Sequence, residues 1–270
     1  MPKIDSAFFD IGYLDTLSYQ DTPIHRLDPR SKLIVTLVFI VTIVSCDRYE
    51  ISGLLGFFIF PVVMIARGNL PVGYLLKKLL MVAPFAFFVG VFNPLFDREI
   101  VISFQAFDIS GGWLSFFSIL LRFTLTVSAA LILIATSGFP RVCLALEKLK
   151  APRVFAVQLL FLYRYIFVLT GEALRLVRAR ALRTFDGKGG GVRVAGSMIG
   201  HLLLRTMSRA RRIHLAMLCR GFDGEIRTLR PLHATGRDVG FVIFWLAVFI
   251  LLRLYDLTEA VSLLLVGGIG

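Results

Sequence analysis

Acidic residues are scarce in this 270-residue chain, with 18 Asp and Glu set against 30 Lys and Arg, and the net charge is +12. Cysteine is scarcer still. Cys46, Cys143 and Cys219 are odd in number, far apart and free of Cys-x-x-Cys spacing, which excludes a disulfide framework and a cysteine metal site. Each reads as a small hydrophobe. The four histidines, His25, His201, His214 and His233, are scattered, and the thirteen-residue spacing of His201 and His214 does not put them on adjacent turns. No metal site and no cofactor are expected. No Gly-x-x-x-x-Gly-Lys-Ser/Thr occurs, so no Walker-type phosphate loop is expected in this chain. Gly187-Lys188-Gly189 lacks the preceding strand and the following hydroxyl of a phosphate loop, and Gly187–Gly191 reads as a flexible linker. The first thirty residues lack a basic start followed by an apolar run and a small-residue cleavage site, so no cleaved leader is expected.

Apolar residues are abundant instead. They make up 57% of the chain, with a mean hydropathy of +0.78, above the usual share for soluble domains. The excess points to a bilayer as solvent and turns the basic charge away from nucleic acid. Candidate spans are Leu33–Cys46, Ile51–Ala66, Leu79–Phe96, Trp113–Ser137 and Val239–Leu252. The tail from Leu257 to Val266 is open between a sixth span, a re-entrant piece and an interfacial helix. The fold expected is all-α and polytopic, with five to six spans. Loops 47–50 and 97–112 hold one Arg each, whereas Lys3, Arg26, Arg30, Lys32, Arg67, Lys77 and Lys78 lie at the other ends of the spans. Between Pro140 and Asp238 there are nineteen Lys or Arg. This alternation predicts a cytoplasmic N-terminus, with Tyr49 and Trp113 at the external interface. The expected organisation is a cytoplasmic segment 1–32, four spans in 33–137, a cytoplasmic module 138–238 and C-terminal span or spans in 239–270.

Asp28 is placed to cap the first span, with Pro29 at the first helical position and Arg30 and Lys32 at the headgroups. Arg122 falls inside the fourth span, where a charge is a functional candidate unless it snorkels or faces a helix. Asn93-Pro94 predicts a kink in the third span, and the small residues of Thr126–Ser137 suit close packing against a partner.

The basic segment is amphipathic and carries a duplication. Near Glu172 the chain reads Glu-Ala-Leu-Arg-Leu-Val-Arg-Ala-Arg-Ala-Leu-Arg, and a second helix runs from about Met198 to Cys219 with Arg205, Arg209 and Arg212 on one face. Ala179-x-x-x-Arg183-x-Phe185-Asp186-Gly187 recurs as Ala216-x-x-x-Arg220-x-Phe222-Asp223-Gly224, thirty-seven residues on. A guanidinium at a helix C-terminus satisfies carbonyls and suits the dipole. Two such tips on one platform also suit paired acidic grooves on a two-fold partner, because the planar fork binds carboxylates.

These residues resemble the transmembrane (T) component of energy-coupling-factor transporters, in particular the cobalt-type CbiQ family. The resemblance covers most of the chain. It includes His25-Arg26-Leu27-Asp28-Pro29-Arg30, Leu146-x-x-Leu149-x-x-Pro152, Arg164-Tyr165, Glu172 and the paired arginine signatures. In that family each signature is Ala-Arg-Gly or Ala-Arg-Ser at the tip of a coupling helix that contacts an ATPase subunit. Here the triplets are Leu182-Arg183-Thr184 and Cys219-Arg220-Gly221, and Ala179-Arg180-Ala181 competes as the first site. The resemblance implies a non-catalytic subunit of the inner membrane. Its implied partners are two Walker-type ATPase copies, a substrate-binding membrane component and a small accessory membrane protein. Cobalt is the implied cargo, with nickel or a vitamin as alternatives. A rival from another class is an integral-membrane enzyme acting on lipid or isoprenoid. It lacks clustered carboxylates, since Glu147, Glu172, Asp186, Asp223 and Glu225 are thinly spread with no Asp-x-x-x-Asp pair. An ordinary ATP-driven importer permease would carry one coupling loop rather than two tips.

Overall fold

The computed structural model describes residues 13–46, 51–96, 100–104, 107–183, 191–224 and 235–254. The helices are α1 (Pro29–Val44), α2 (Ile51–Gly56), α3 (Ile59–Gly68), α4 (Val72–Phe96), α5 (Gly111–Ser137), α6 (Phe139–Lys148), α7 (Arg153–Ala181), α8 (Val192–Cys219) and α9 (Gly236–Leu254). The protein is an all-α polytopic membrane protein with one small addition. Between α4 and α5, β1 (Ile100–Phe104) and β2 (Phe107–Ser110) pair antiparallel, with Ile100 opposite Ser110 and Phe104 opposite Phe107. The β-branched run Ile100-Val101-Ile102 favours this ribbon, where the sequence predicts only a loop.

The chain divides into two compact units. The larger draws on Phe9–Val142 and Leu232–Gly270 and holds the apolar core. Its centre is an aromatic cluster. Phe39 lies 4.5 Å from Phe60 and 5.3 Å from Phe249 between ring centroids, and Phe60 meets Trp245 edge-on at 4.8 Å. These rings join α1, α3 and α9, in geometries that favour aromatic pairs beyond their area. On the far side, α4 lies along α5. Gly90 makes that approach possible, because a Cβ there would stand 2.9 Å from the Phe116 ring.

Helix ends in this unit are tied by cations. The Lys32 side chain is 2% exposed and its Nζ donates to the Thr136 carbonyl at 2.9 Å, in the last turn of α5. At the opposite end of α1, Arg122 donates to the Cys46 carbonyl at 2.9 Å, and Arg253 reaches the Ser45 carbonyl at 3.3 Å. The final carbonyls of a helix have no partner within it, and positive groups also suit its dipole. Lys32 with Thr136 and Arg122 with Cys46 together fix α1 and α5 as antiparallel neighbours. Gly138 then turns the chain with φ +74°, and a Cβ there would meet Ser18 Oγ at 2.8 Å and Asp15 Oδ1 at 2.9 Å. Only glycine meets both demands.

Several expectations change in detail. The predicted span Ile51–Ala66 is two helices, broken at Phe57-Phe58. Pro61 accounts for the break: it has no N–H to donate to the Phe57 carbonyl, and its ring crowds that position. The third span begins earlier than predicted, at Val72, and Pro94 falls in its last turn. The small-residue stretch of α5 fills the chain's own core, with Ala129 and Ala135 fully buried. Among the described residues, Val72–Phe92, Gly112–Ser137 and Arg153–Ala181 are long and apolar enough to cross a membrane, and Gly53–Gly68 is a shorter apolar stretch. The third of these long stretches lies in the segment read from sequence as cytoplasmic. Tyr49, Arg98, His233, Glu225 and the tail 257–270 lie outside the described residues.

Asp238 holds α1 to α9. It is buried, 3% exposed, and its Oδ1 accepts the backbone N–H of Asp28 at 2.8 Å. Its Oδ2 accepts the Thr235 N–H at 2.7 Å, a capping-box arrangement at the start of α9. Hydrogen bonds to a charged group contribute about 1.5–3 kcal/mol. Asp238→Ala is therefore expected to destabilise the purified protein by about that amount. The check is a thermal unfolding curve in detergent, which should shift several degrees downward.

Candidate functional site

The smaller unit, drawn from Cys143–Pro231 with Met1–Phe8, contains α7 and α8. Both are rich in residues of good helix propensity, and Pro152 stands just before α7, where a proline costs nothing. They meet at Glu172. Its Oε1 accepts from Arg209 at 2.8 Å, and Arg175 stands 4.0 Å away. Farther along α7, Arg180 reaches the Met198 sulfur at 3.6 Å. The order of contacts reverses between the helices, since Arg180 follows Glu172 whereas Met198 precedes Arg209. The helices therefore run in opposite directions where they touch.

Glu172 and Arg209 are thirty-seven residues apart, the period of the duplicated signature. The pair thus joins equivalent positions of the two copies. That is the contact a local two-fold axis through the crossing would produce. A true two-fold would set identical side chains against each other, and two like charges would repel. Here the copies carry opposite charges, so the crossing holds. Glu172 is 17% exposed on its side chain and Arg209 40%, so the charge-assisted bond is partly shielded from solvent.

Arg183 and Arg220 each lie eleven residues beyond that crossing, about 16 Å along their helices, in opposite directions. Both are exposed. Among the described residues neither guanidinium has a hydrogen-bond or ion-pair partner. Ala179 and Ala216, one turn back, are exposed as well. Arg180, the competing first arginine, is half-buried and engaged with Met198, while Arg183 stands clear.

The two helix ends are built differently. Arg220 caps α8, the Phe222 N–H bonds to the Met217 carbonyl, and the Gly221 N–H bonds to the Leu218 carbonyl, each at 3.0 Å. With Gly221 at φ +77° this is a Schellman ending, which glycine favours. Phe222 is half-buried beyond it. On α7 the cap is Leu182, 81% exposed, and the Arg183 N–H bonds back to the Arg180 carbonyl at 2.9 Å. Phe185, with Asp186 and Gly187, lies outside the described residues.

The remaining candidates fall elsewhere. Asp28 caps α1, its carboxylate accepting the Arg30 N–H at 2.8 Å, with Pro29 at the first position and the Arg30 guanidinium 3.9 Å away. His25, in the same segment, is 6% exposed and shares a 2.6 Å hydrogen bond with Thr22. Burial, then the Lys32 charge, hold its imidazole below the usual histidine range. Arg122 is a helix-end donor to the Cys46 carbonyl. Arg164 is exposed on α7. Among the described residues no three His, Cys, Asp or Glu side chains gather as metal ligands. Sequence reasoning did not foresee Arg209 as the partner of Glu172. The repeat period held the signal, because extending the register back from Arg183 and Arg220 matches the two positions.

Residues 20–231 match the family described as cobalt transport protein, CbiQ. The chain is 30% identical to the energy-coupling factor transporter transmembrane protein EcfT of Bacillus subtilis over 82% of its own length and 89% of that protein's. It is 28% identical to the protein of the same name from Heliobacterium modesticaldum, over 87% and 94% of the two chains. An uncharacterized protein of Methanocaldococcus jannaschii is 27% identical over 86% and 82%. The chain belongs to this family of transport proteins, and it is a transporter's membrane component rather than a catalyst.

Proposed function

We propose that the chain is the energy-coupling membrane subunit of a cobalt importer, docking two ATPase copies through Arg183 and Arg220. The observation that carries this reading is the pair of exposed guanidiniums, unpartnered among the described residues, at the C-terminal ends of two helices that cross at equivalent positions. A partner with two-fold symmetry presents two equal sockets, and an approximately two-fold platform can fill both at once. Each planar guanidinium then pairs with carboxylates in a socket, and closure of the ATPase dimer pulls on both helix tips together. The Glu172–Arg209 crossing passes that motion from one helix to the other and on to the substrate-binding component. Cobalt is the cargo that the family description favours, and it travels as substrate held by the partner. The EcfT relatives, energy-coupling factor transporter transmembrane proteins by name, support the coupling role.

In this reading the module lies on the cytoplasmic side of the inner membrane, as does the N-terminus. The nineteen basic residues between Pro140 and Asp238 support that side. The apolar half of α7 then lies against the bilayer surface or a membrane partner, with the Arg-rich half beyond it in water. Single cysteines placed at Ala179 and Ala216, in a chain whose own three cysteines are replaced, test this. An impermeant maleimide is expected to label both in inverted vesicles and neither in intact spheroplasts. Labelling from outside would overturn the orientation.

The docking role is tested by co-purification. Arg183→Ala and Arg220→Ala are each expected to reduce captured ATPase roughly tenfold, the worth of one charge-assisted contact. The double variant should lose capture and cobalt uptake while still inserting in the membrane. Normal capture and uptake by the double variant would sink the proposal.

The crossing has its own signature. Glu172→Arg alone should uncouple the complex, with ATP still hydrolysed but uptake severalfold lower. Adding Arg209→Glu should restore uptake, because the pair is rebuilt with its charges exchanged. If the exchanged pair stays as defective as the single variant, the crossing does not transmit motion.

A further inference from the structure

The larger unit has a cleft of about 870 Å³ that the coupling role does not use. It lies between α3 and α9 beside the segment 21–27. Its walls are apolar, formed by Val63 and Met64 of α3 and by Phe241, Phe244 and Trp245 of α9. Its rim is basic. The rings that join the helices show how the two are arranged: Phe57 faces Phe249, whereas Phe60 faces Trp245. α3 and α9 are therefore antiparallel, which brings Arg67 in the last turn of α3 to the end where Arg237 opens α9.

The charges of the rim do not cancel. Arg26 is satisfied by Asp21, whose two carboxylate oxygens take its donors at 2.7 and 2.8 Å. Asp238 is buried and committed to two backbone N–H groups. Arg67 and Arg237 remain, both exposed and without a hydrogen-bond or ion-pair partner among the described residues. Trp245 follows Arg237 by eight residues, so the wall extends about 12 Å from the charged rim. A cleft of this volume falls in the range that small-molecule sites use.

We propose that this cleft binds an anionic phospholipid, with its phosphate held by Arg67 and Arg237 and its acyl chains along the Val63–Phe244 wall. The charge complementarity selects an anion, since two unmatched guanidiniums suit one bidentate phosphate. The wall selects a lipid over a free anion, because inorganic phosphate would leave the aromatic surface uncovered. In a membrane protein such a lipid is always at hand, and basic pockets between membrane helices hold acidic headgroups. The bound lipid would bridge α3 and α9 at the end where α1 also begins, bracing the three helices.

Native mass spectrometry of the full chain in detergent, titrated with phosphatidylglycerol or phosphatidylcholine, tests this. The wild type is expected to retain one phosphatidylglycerol at least fivefold better than phosphatidylcholine. Arg67→Gln/Arg237→Gln should abolish that preference. Lys77→Gln/Lys78→Gln, an equal loss of charge outside the cleft, should keep it. Millimolar inorganic phosphate should not displace the lipid. Equal retention of the two lipids, equal loss in both variants, or displacement by phosphate would each overturn the proposal. If the arginine variant does not fold, the wild-type unfolding temperature decides: a rise with phosphatidylglycerol alone supports the site, and an equal rise with both lipids refutes it.

Discussion

The carbonyls at the ends of the membrane helices must find donors, and this requirement organises the larger unit. A carbonyl shut away from water without a donor costs several kcal/mol, as a rough figure. The protein answers with long cationic side chains from neighbouring helices. Lys32 closes α5, while Arg122 and Arg253 close α1. Each bond also fixes which helices are neighbours and how far one slides along the other. The aromatic cluster around Phe39 and Phe60 then fills a frame that these ends have already set.

This bears on how charged residues inside spans are read. A lone arginine such as Arg122 attracts a functional reading because burial in lipid is costly. Its place beside the end of α1 gives it a structural task, since the last carbonyls of a helix have no partner within it and take one from a neighbour. α1 has only sixteen residues, about 24 Å, and both of its ends are met by side chains or carbonyls of neighbouring helices.

Much of the fold was legible in the sequence, and what was missed has physical reasons. The helix start at Asp28-Pro29 is local chemistry, and the long apolar run of α5 needs no neighbour to declare itself. Pro61 sits in plain view, yet the break at Phe57-Phe58 escapes hydropathy, which averages over a turn. The apolar first half of α7 was masked in the same way, by counting charge across a hundred residues. The bonds of Lys32 and of Asp238 join residues more than a hundred positions apart, and nothing in a single sequence pairs them. For the candidate site, the duplicated signature pointed to Arg183 and Arg220, whereas the meeting of Glu172 with Arg209 depended on two helices crossing at one chosen place.

Gly221 carries a quieter consequence. The space around it is empty, so a side chain there would collide with nothing. What forbids one is the left-handed backbone, whose cost to a non-glycine residue is roughly 1–2 kcal/mol. The glycine is thus kept for direction rather than room. It bends the chain away just after Arg220 and leaves that guanidinium as the last word of its helix. A change at residue 221 would re-aim the arginine without altering it, whereas α7 closes on Leu182 in a right-handed conformation.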